Sequence, residues 1–221
     1  RSWGSLMGDR IAIRIPNWIG DAVMATPVVR AACRLPGARV TLVLRPGYIP
    51  IFADGPWEVA YHPYEKGGAA RLVASARTLG SQDLGLVLPH SFSSALYFLL
   101  AGVRRRVGRA ANLRSWMLTD AVAPLREGGK VVPEPMVDLY LRLLARAGIP
   151  DDGPRTTLAH SASDEARFDE ACRGAGITPE GPFLMASPGA SFGPSKLWRE
   201  DRFASSVSRA SVPSAIRSHN G

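Results

Sequence analysis

The sequence predicts an α/β protein: a parallel sheet covered on both faces by helices, followed by the opening of a second unit of the same kind. Three observations lead there. Short apolar runs with strand-like alternation recur between helix-like stretches. Pro or Gly stops most of these runs. One segment, Met136 to Ala147, is plainly amphipathic and ends at Gly148 and Pro150. Strands that alternate with helices favour parallel pairing, because parallel neighbours need a crossover.

The first strand is Ile11 to Ile15, bounded by Pro16. Asn17 to Gly20 makes a turn, and Asp21 opens a helical pattern through Val28, Val29 and Ala32, with Pro27 marking a kink or a later start. Pro36 and Gly37 end it, and Val40 to Leu44 is the second strand. Val59 to Tyr61 is a weak strand and Ala69 to Leu79 a helix. Leu84 to Leu88 is a strong strand ended by Pro89, and Ser91 to Ala101 is an apolar helix with Ser91 or His90 at its N-cap. Arg105 to Val107 is a further short strand. The Asp-, Pro- and Gly-rich stretch 150–154 divides a first domain, 1–150, from a linker and the start of a second domain, 151–203. That second part holds a polar helix (Ser163 to Gly174), a buried strand (Phe183 to Ala186) and a Gly/Pro-punctuated loop (Ser187 to Ser195). Residues 204–221 are serine-rich without a convincing period and read as a disordered or out-of-frame tail.

Composition narrows the function classes. The chain has 221 residues, 46% hydrophobic, which suffices for a sizeable core. Its formal net charge of +8 suits a polyanionic partner, or is simply the balance of a basic protein. Two distant cysteines, Cys33 and Cys172, make no disulfide framework or metal cluster and fit a reducing cytosol. The histidines show no metal-ligand spacing. No apolar run is long enough to span a bilayer, and residues 1–10 lack the apolar core of a signal peptide.

Chemistry has three candidate locations. Ile15-Pro16-Asn17-Trp18-Ile19-Gly20-Asp21 lies between the first strand and the first helix, where open α/β sheets place ligands. It is neither a dinucleotide fingerprint nor a P-loop. Asp21 is either a helix-terminal acid stabilised by the dipole or a carboxylate able to take a proton from a substrate hydroxyl, and the two roles are compatible. Ser187 to Trp198 is small-residue-rich, with Ser191 able to donate hydrogen bonds and Lys196 suited to a phosphate, or is a plain surface loop. Arg104-Arg105-Arg106, with Arg109 and Arg114, would meet phosphates, carboxylates or anionic headgroups, or forms a solvated rim. Too few aromatics accompany these arginines for a nucleic-acid groove, so no nucleic-acid partner is expected. His90 either lines the cleft or caps and packs, and the serines beside it lack a nucleophile-elbow pattern.

Taken together, three ordered stretches resemble one family. They are Pro16-Asn17-Trp18-Ile19-Gly20-Asp21 with Pro27, then Leu88-Pro89-His90-Ser91-Phe92-Ser93-Ser94-Ala95-Leu96 running to Gly102 and Arg109, then Pro188-Gly189-Ala190-Ser191-Phe192-Gly193-Pro194-Ser195-Lys196-Leu197-Trp198. Leu118-Thr119-Asp120 and Met136 to Tyr140 add to the likeness. It is to the ADP-heptose:lipopolysaccharide heptosyltransferases, glycosyltransferase family 9, most closely the heptosyltransferase II branch.

The resemblance implies a GT-B fold, with a Rossmann-like N-terminal acceptor-binding domain and, in this chain, only the start of a Rossmann-like nucleotide-sugar domain. It implies inverting, metal-independent transfer of heptose from ADP-L-glycero-D-manno-heptose to the lipopolysaccharide inner core, without a cofactor. Asp21 matches the catalytic base, and Ser191 and Lys196 the donor-phosphate loop. Asn17, Trp18, His90, Ser91 and Arg109 fall at acceptor-facing positions. The partners implied are the acidic core precursor and the nucleotide-sugar, in the cytoplasm with peripheral contact at the inner membrane. The family's acidic-Ser-Gly-Leu motif has no match here, so the chain is expected to be incomplete and to transfer no sugar alone. The alternative is a non-catalytic module that docks acidic glycolipid or an anionic membrane surface through its arginines.

Overall fold

The computed structural model describes residues 8–65, 67–111, 113–178, 189 and 197–210. The chain divides into two compact units, Arg1–His160 and Ser161–Gly221.

The first unit is built on six parallel strands: β1 (Arg10–Arg14), β2 (Arg39–Leu44), β3 (Val59–Pro63), β4 (Leu84–Val87), β5 (Arg105–Arg109) and β6 (Asp120–Val122). Their spatial order is β3-β2-β1-β4-β5-β6. The order reverses between β1 and β4, which pair from Ile11↔Leu84 to Arg14↔Val87. Chain leaving the two strands therefore departs in opposite directions, and a crevice opens at their carboxyl ends.

Period-two alternation decides which side chains meet which helices. Ile11, Ile13 and Ile15 join a core with Val28, Val29, Leu139, Tyr140 and Leu143, under α1 (Ile19–Met24), α2 (Thr26–Cys33) and α6 (Met136–Ala147). The short α3 (Ile49–Ala53) adds Phe52 to the same core. Ala12 faces the other way, into a core with Val43, Val87, Ala76, Tyr97 and Phe98 beneath α4 (Ala69–Thr78) and α5 (Phe92–Leu100). Gly85 on β4 lets α5 approach: a Cβ there would lie 2.6 Å from the Phe98 ring and 2.9 Å from Val103. Gly148 ends α6 at φ 83°, a left-handed conformation in which any Cβ is strained.

The expected single helix after the first turn is two. Pro27 has no amide hydrogen to give the carbonyl of Val23. The Thr26 hydroxyl donates to that carbonyl instead, at 2.8 Å, and α2 starts afresh with Pro27 in its first turn. The three-residue β6 does not read as a strand in the sequence because one of its two buried positions is Asp120, paired with Arg105. The hairpin of β7 (Arg126–Glu127) and β8 (Lys130–Val131) is likewise too short to show a period. Its turn uses Gly128 and Gly129, both at positive φ.

The first unit runs past Pro150 to His160 because residues 151–157 are tied back to α2. Arg30 donates to the Asp152 carboxylate (2.7 Å), the Arg155 carbonyl (2.8 Å) and the Thr157 hydroxyl (2.8 Å), and the Thr157 amide donates to the Thr26 hydroxyl at 2.9 Å.

In the second unit α7 (Ala162–Gly174) starts with a capping box, Ser161 and Asp164 each accepting from the other's amide. The expected strand Phe183 to Ala186 and loop Ser187 to Ser195 lie outside the described residues, isolated Gly189 apart, as does 211–221. Residues 204–210, expected in a structureless tail, are instead the later part of α8 (Glu200–Ala210). Glu200 and Asp201 occupy its first turn, favourably for the dipole. The Ser205 hydroxyl donates back to the Asp201 carbonyl at 2.8 Å, so a serine that suggests a coil fits the helix.

Candidate active site at the carboxyl ends of β1, β4 and β5

The turn after β1 is held from below. Arg14, fully buried, donates to the carbonyls of Ile15 (2.5 Å) and Val43 (3.1 Å) and to Asn17 Oδ1 (2.9 Å). The Tyr48 hydroxyl donates to the Asn17 carbonyl from the opposite side. Trp18 takes the N-cap position of α1 with 59% of its surface exposed. Asp21 falls in the first turn of that helix, half-buried, three residues past the cap. The helix-cap reading of Asp21 therefore narrows to a first-turn acid near the helix dipole.

The turn after β4 is held by a second buried arginine. Arg114 donates to the carbonyls of Pro89 (2.5 Å), Ser91 (3.0 Å) and Arg109 (3.0 and 3.1 Å). His90 is thereby fixed between the ends of β4 and β5. Ser91 is the N-cap of α5: its Oγ accepts from the Ser94 amide at 3.3 Å and lies 2.7 Å from the Ser94 hydroxyl. Its hydroxyl thus serves the helix.

Electrostatics bring these turns together. Burial lowers the His90 imidazole below its ordinary value, and the positive charges of Arg109 and Arg114 push it the same way. The carboxylates of Asp21 and Glu134 oppose them without prevailing. His90 is consequently neutral at pH 7, with one ring nitrogen protonated and the other carrying a lone pair. Asp21 also acts on the fully buried Tyr140, whose phenol is raised far above its usual range by burial first and by that carboxylate second. Asp21, His90 and Arg109, distant in sequence, are one electrostatic group, and Glu134 and Tyr140 belong to it.

Glu134 sits just before α6 with its side chain 4% exposed; Oε2 accepts from Arg142 at 2.7 Å, and Oε1 has no hydrogen-bond partner among the described residues. The Tyr140 hydroxyl likewise has none. Sequence reasoning missed Glu134 and the role of Arg14, because nothing local distinguishes them. Tyr140 had a signal, its place in the family-like Met136 to Tyr140 stretch.

The expected basic surface is largely internal. Arg104 pairs with Asp83. Arg105 is buried against Asp120 and donates to the Ala147 and Arg146 carbonyls at 2.7 and 2.8 Å, capping the end of α6. Arg106 donates to the Met117 and Val103 carbonyls at 2.6 and 2.5 Å. Arg114 is the loop staple described above. Arg109, half-buried at the end of β5, belongs to the crevice group, and its side chain has no such task among the described residues. Arg105, Arg106 and Arg114 are therefore engaged internally, because short strands and a helix end left carbonyls that arginines could reach, while Arg104 stays exposed beside Asp83. Ser191 and Lys196 lie outside the described residues.

A cavity of about 610 Å³ opens at the other end of the sheet, lined by Arg10, Cys33, Arg39, Glu58 and Gln82 among others. Burial, with Glu58 beside it, raises the Cys33 thiol to about 11, which removes its thiolate at neutral pH. Among the described residues no group of His, Cys, Asp and Glu is placed to hold a metal ion, and no helix is long and apolar enough to cross a membrane.

A parallel sheet of this order, with its turns converging at the switch point, is the doubly wound, Rossmann-like α/β frame. The chain belongs to glycosyltransferase family 9 (heptosyltransferase), whose sequence pattern matches residues 72–211. It is 28% identical over 206 residues to lipopolysaccharide heptosyltransferase 2 of Escherichia coli, covering 88% of this chain and 58% of that protein. It is 29% identical over 210 residues to lipooligosaccharide heptosyltransferase 2 of Haemophilus ducreyi, with the same coverage. The chain thus spans 58% of the length of these curated relatives. Its fold is similar to the family 9 glycosyl transferase of Veillonella parvula (TM-score 0.75, 18% identity, 91% of this chain and 59% of that one). It is also similar to E. coli ADP-heptose LPS heptosyltransferase II (TM-score 0.70, 24% identity, 91% and 61%). The α/β sheet is the one these GT-B structures share.

Proposed function

We propose that this chain is the acceptor-binding half of an inverting heptosyltransferase, with Asp21 as the base. The observation that carries the reading is the position of Asp21 just beyond the carboxyl end of β1, in a turn anchored from below, with its carboxylate acting on the His90 imidazole. In the reaction Asp21 takes the proton of an acceptor hydroxyl as that oxygen attacks the anomeric carbon of ADP-L-glycero-D-manno-heptose. The anomeric C–O bond to ADP breaks in the same displacement, and the configuration inverts. Neutral His90 and cationic Arg109 suit a phosphorylated inner-core acceptor, the first by hydrogen-bonding hydroxyls and the second by charge. Asn17 and Trp18 border the same space. Ser191 and Lys196 would meet the donor phosphates, Lys196 offsetting charge on the departing ADP. The acceptor, a lipopolysaccharide precursor, places the work at the cytoplasmic face of the inner membrane. The docking-module alternative needs a free basic surface, and the internal engagement of Arg105, Arg106 and Arg114 weighs against it.

The test has two arms. Titration of the purified chain with heptose-deficient lipopolysaccharide core should show binding that Asp21→Asn retains. In a version extended to the full length of the relatives, Asp21→Asn should lower kcat by roughly 10²–10⁴-fold. Unchanged turnover would sink the base assignment, and absence of core binding would sink the acceptor assignment.

A further inference from the structure

Arg14 is a buried cation with no carboxylate partner among the described residues. Such a charge is expensive to bury, and among the described residues it is offset by neutral groups. Its guanidinium stacks 3.7 Å from the centre of the Tyr64 ring, and Tyr64 packs edge-on against Tyr97 at 5.3 Å. Tyr97 is fixed in turn by a hydrogen bond to the Ser75 carbonyl at 3.1 Å. The cation therefore rests on a rigid aromatic floor and points its donors at the end of β1. Burial lowers its pKa to about 10; Tyr64 and Tyr97 counter this, and Arg45 adds to it. It stays charged at neutral pH.

We infer that Arg14 is the positioning residue of the catalytic turn: by bridging the Ile15 and Val43 carbonyls and Asn17 Oδ1, it sets where the turn leaves the sheet and so where Asp21 stands. The role it plays for catalysis rests on Asp21 being the base. The geometry explains why a planar fork is used. Three acceptors on two strands and a turn are reached at 2.5, 3.1 and 2.9 Å from two terminal nitrogens, a spread that one ammonium cannot span in the same way. Tyr48 closes the turn from above through the Asn17 carbonyl, so Arg14 is one jaw of a clamp.

The experiment is hydrogen exchange on the 221-residue chain, comparing Arg14→Lys with the unaltered protein. Arg14→Lys should keep the helical circular-dichroism signal while the hydrogen-bonded amides that flank the turn, those of Ile15 and of Ala22 to Met24, exchange roughly tenfold faster or more, with those of α5 and α6 unchanged. Unchanged exchange at Ile15 and at Ala22 to Met24 overturns the inference. If Arg14→Lys does not fold, Asn17→Ala reads the same contact, with the same amides speeding up by about threefold or more and no change there counting against it. In the extended enzyme Arg14→Lys should lower kcat at least about tenfold while KM for the core acceptor changes less than about threefold. Loss of KM alone would show a binding role and overturn positioning. Should Asp21→Asn leave turnover intact, the base reading fails while the exchange result still judges the clamp.

Discussion

The guanidinium of Arg114 donates to the carbonyl of Pro89 at 2.5 Å, and the same side chain reaches Arg109 and Ser91. One buried cation thus joins the connection after β5 to the turn that carries His90. Replacing it with leucine removes charge-assisted bonds to three carbonyls and leaves those acceptors dry. Arg114→Leu should destabilise the protein by about 3 kcal/mol in urea unfolding. A loss below about 1 kcal/mol would mean that the turn is held by something else.

His90 and Asp21 should be coupled in titration. The imidazole midpoint, followed by NMR, should lie below about 6.5, the ordinary histidine value. Asp21 favours the protonated ring, so Asp21→Asn should move the midpoint lower still. A midpoint that stays or rises would separate the two residues. The unfolded chain binds the His90 proton at higher pH than the folded one, so this group's contribution to stability falls as pH drops from about 7 through 6.5 toward the folded midpoint.

Asp120 links β6 to the end of α6 through Arg105 (3.2 Å) and Arg146 (3.2 Å). Burial works to raise its carboxyl, but hydrogen bonds from Arg105 and Thr119 and the two arginine charges outweigh it and hold the pKa below the usual range. The resulting stability is present above the unfolded value of about 3.9 and is lost as pH falls through the folded value. Asp120→Asn should therefore cost about 3 kcal/mol at neutral pH by removing the carboxylate that faces the buried Arg105 guanidinium. The gap from the unaltered protein should narrow in acid. An equal gap at every pH would contradict the pairing.

Gly85 is required by α5 rather than by its own backbone. Gly85→Ala places a methyl 2.6 Å from the Phe98 ring and should cost about 2 kcal/mol in thermal or urea unfolding. Combining it with Phe98→Leu should cost less than the sum of the two single changes. Additivity would show that the clash is relieved by another route.

Much of the frame was legible in the residues. The runs Ile11 to Ile15, Val40 to Leu44 and Leu84 to Leu88 appear as β1, β2 and β4 within a residue at their ends, and α6 appears at Met136–Ala147 as read. These elements are apolar enough for local period to decide them. The failures have a common cause. Asp120 in a strand and Ser205 in α8 are residues whose local preference is overruled by one partner, Arg105 and the Asp201 carbonyl, while Pro27 sits in the first turn of α2, the later start its sequence position offered.

The sequence by itself determined the alternation of strands and helices, the family, and a carboxylate at the end of the first strand, because each is written in short-range pattern. Only the tertiary structure decided what surrounds Asp21. His90, Arg109, Glu134 and Tyr140 join it because the strand order reverses between β1 and β4 and α6 folds back beneath them. The same packing turned most of the expected basic surface into internal staples, since a buried carbonyl needs a donor wherever one can reach it. No local pattern states which arginine will be the one that reaches.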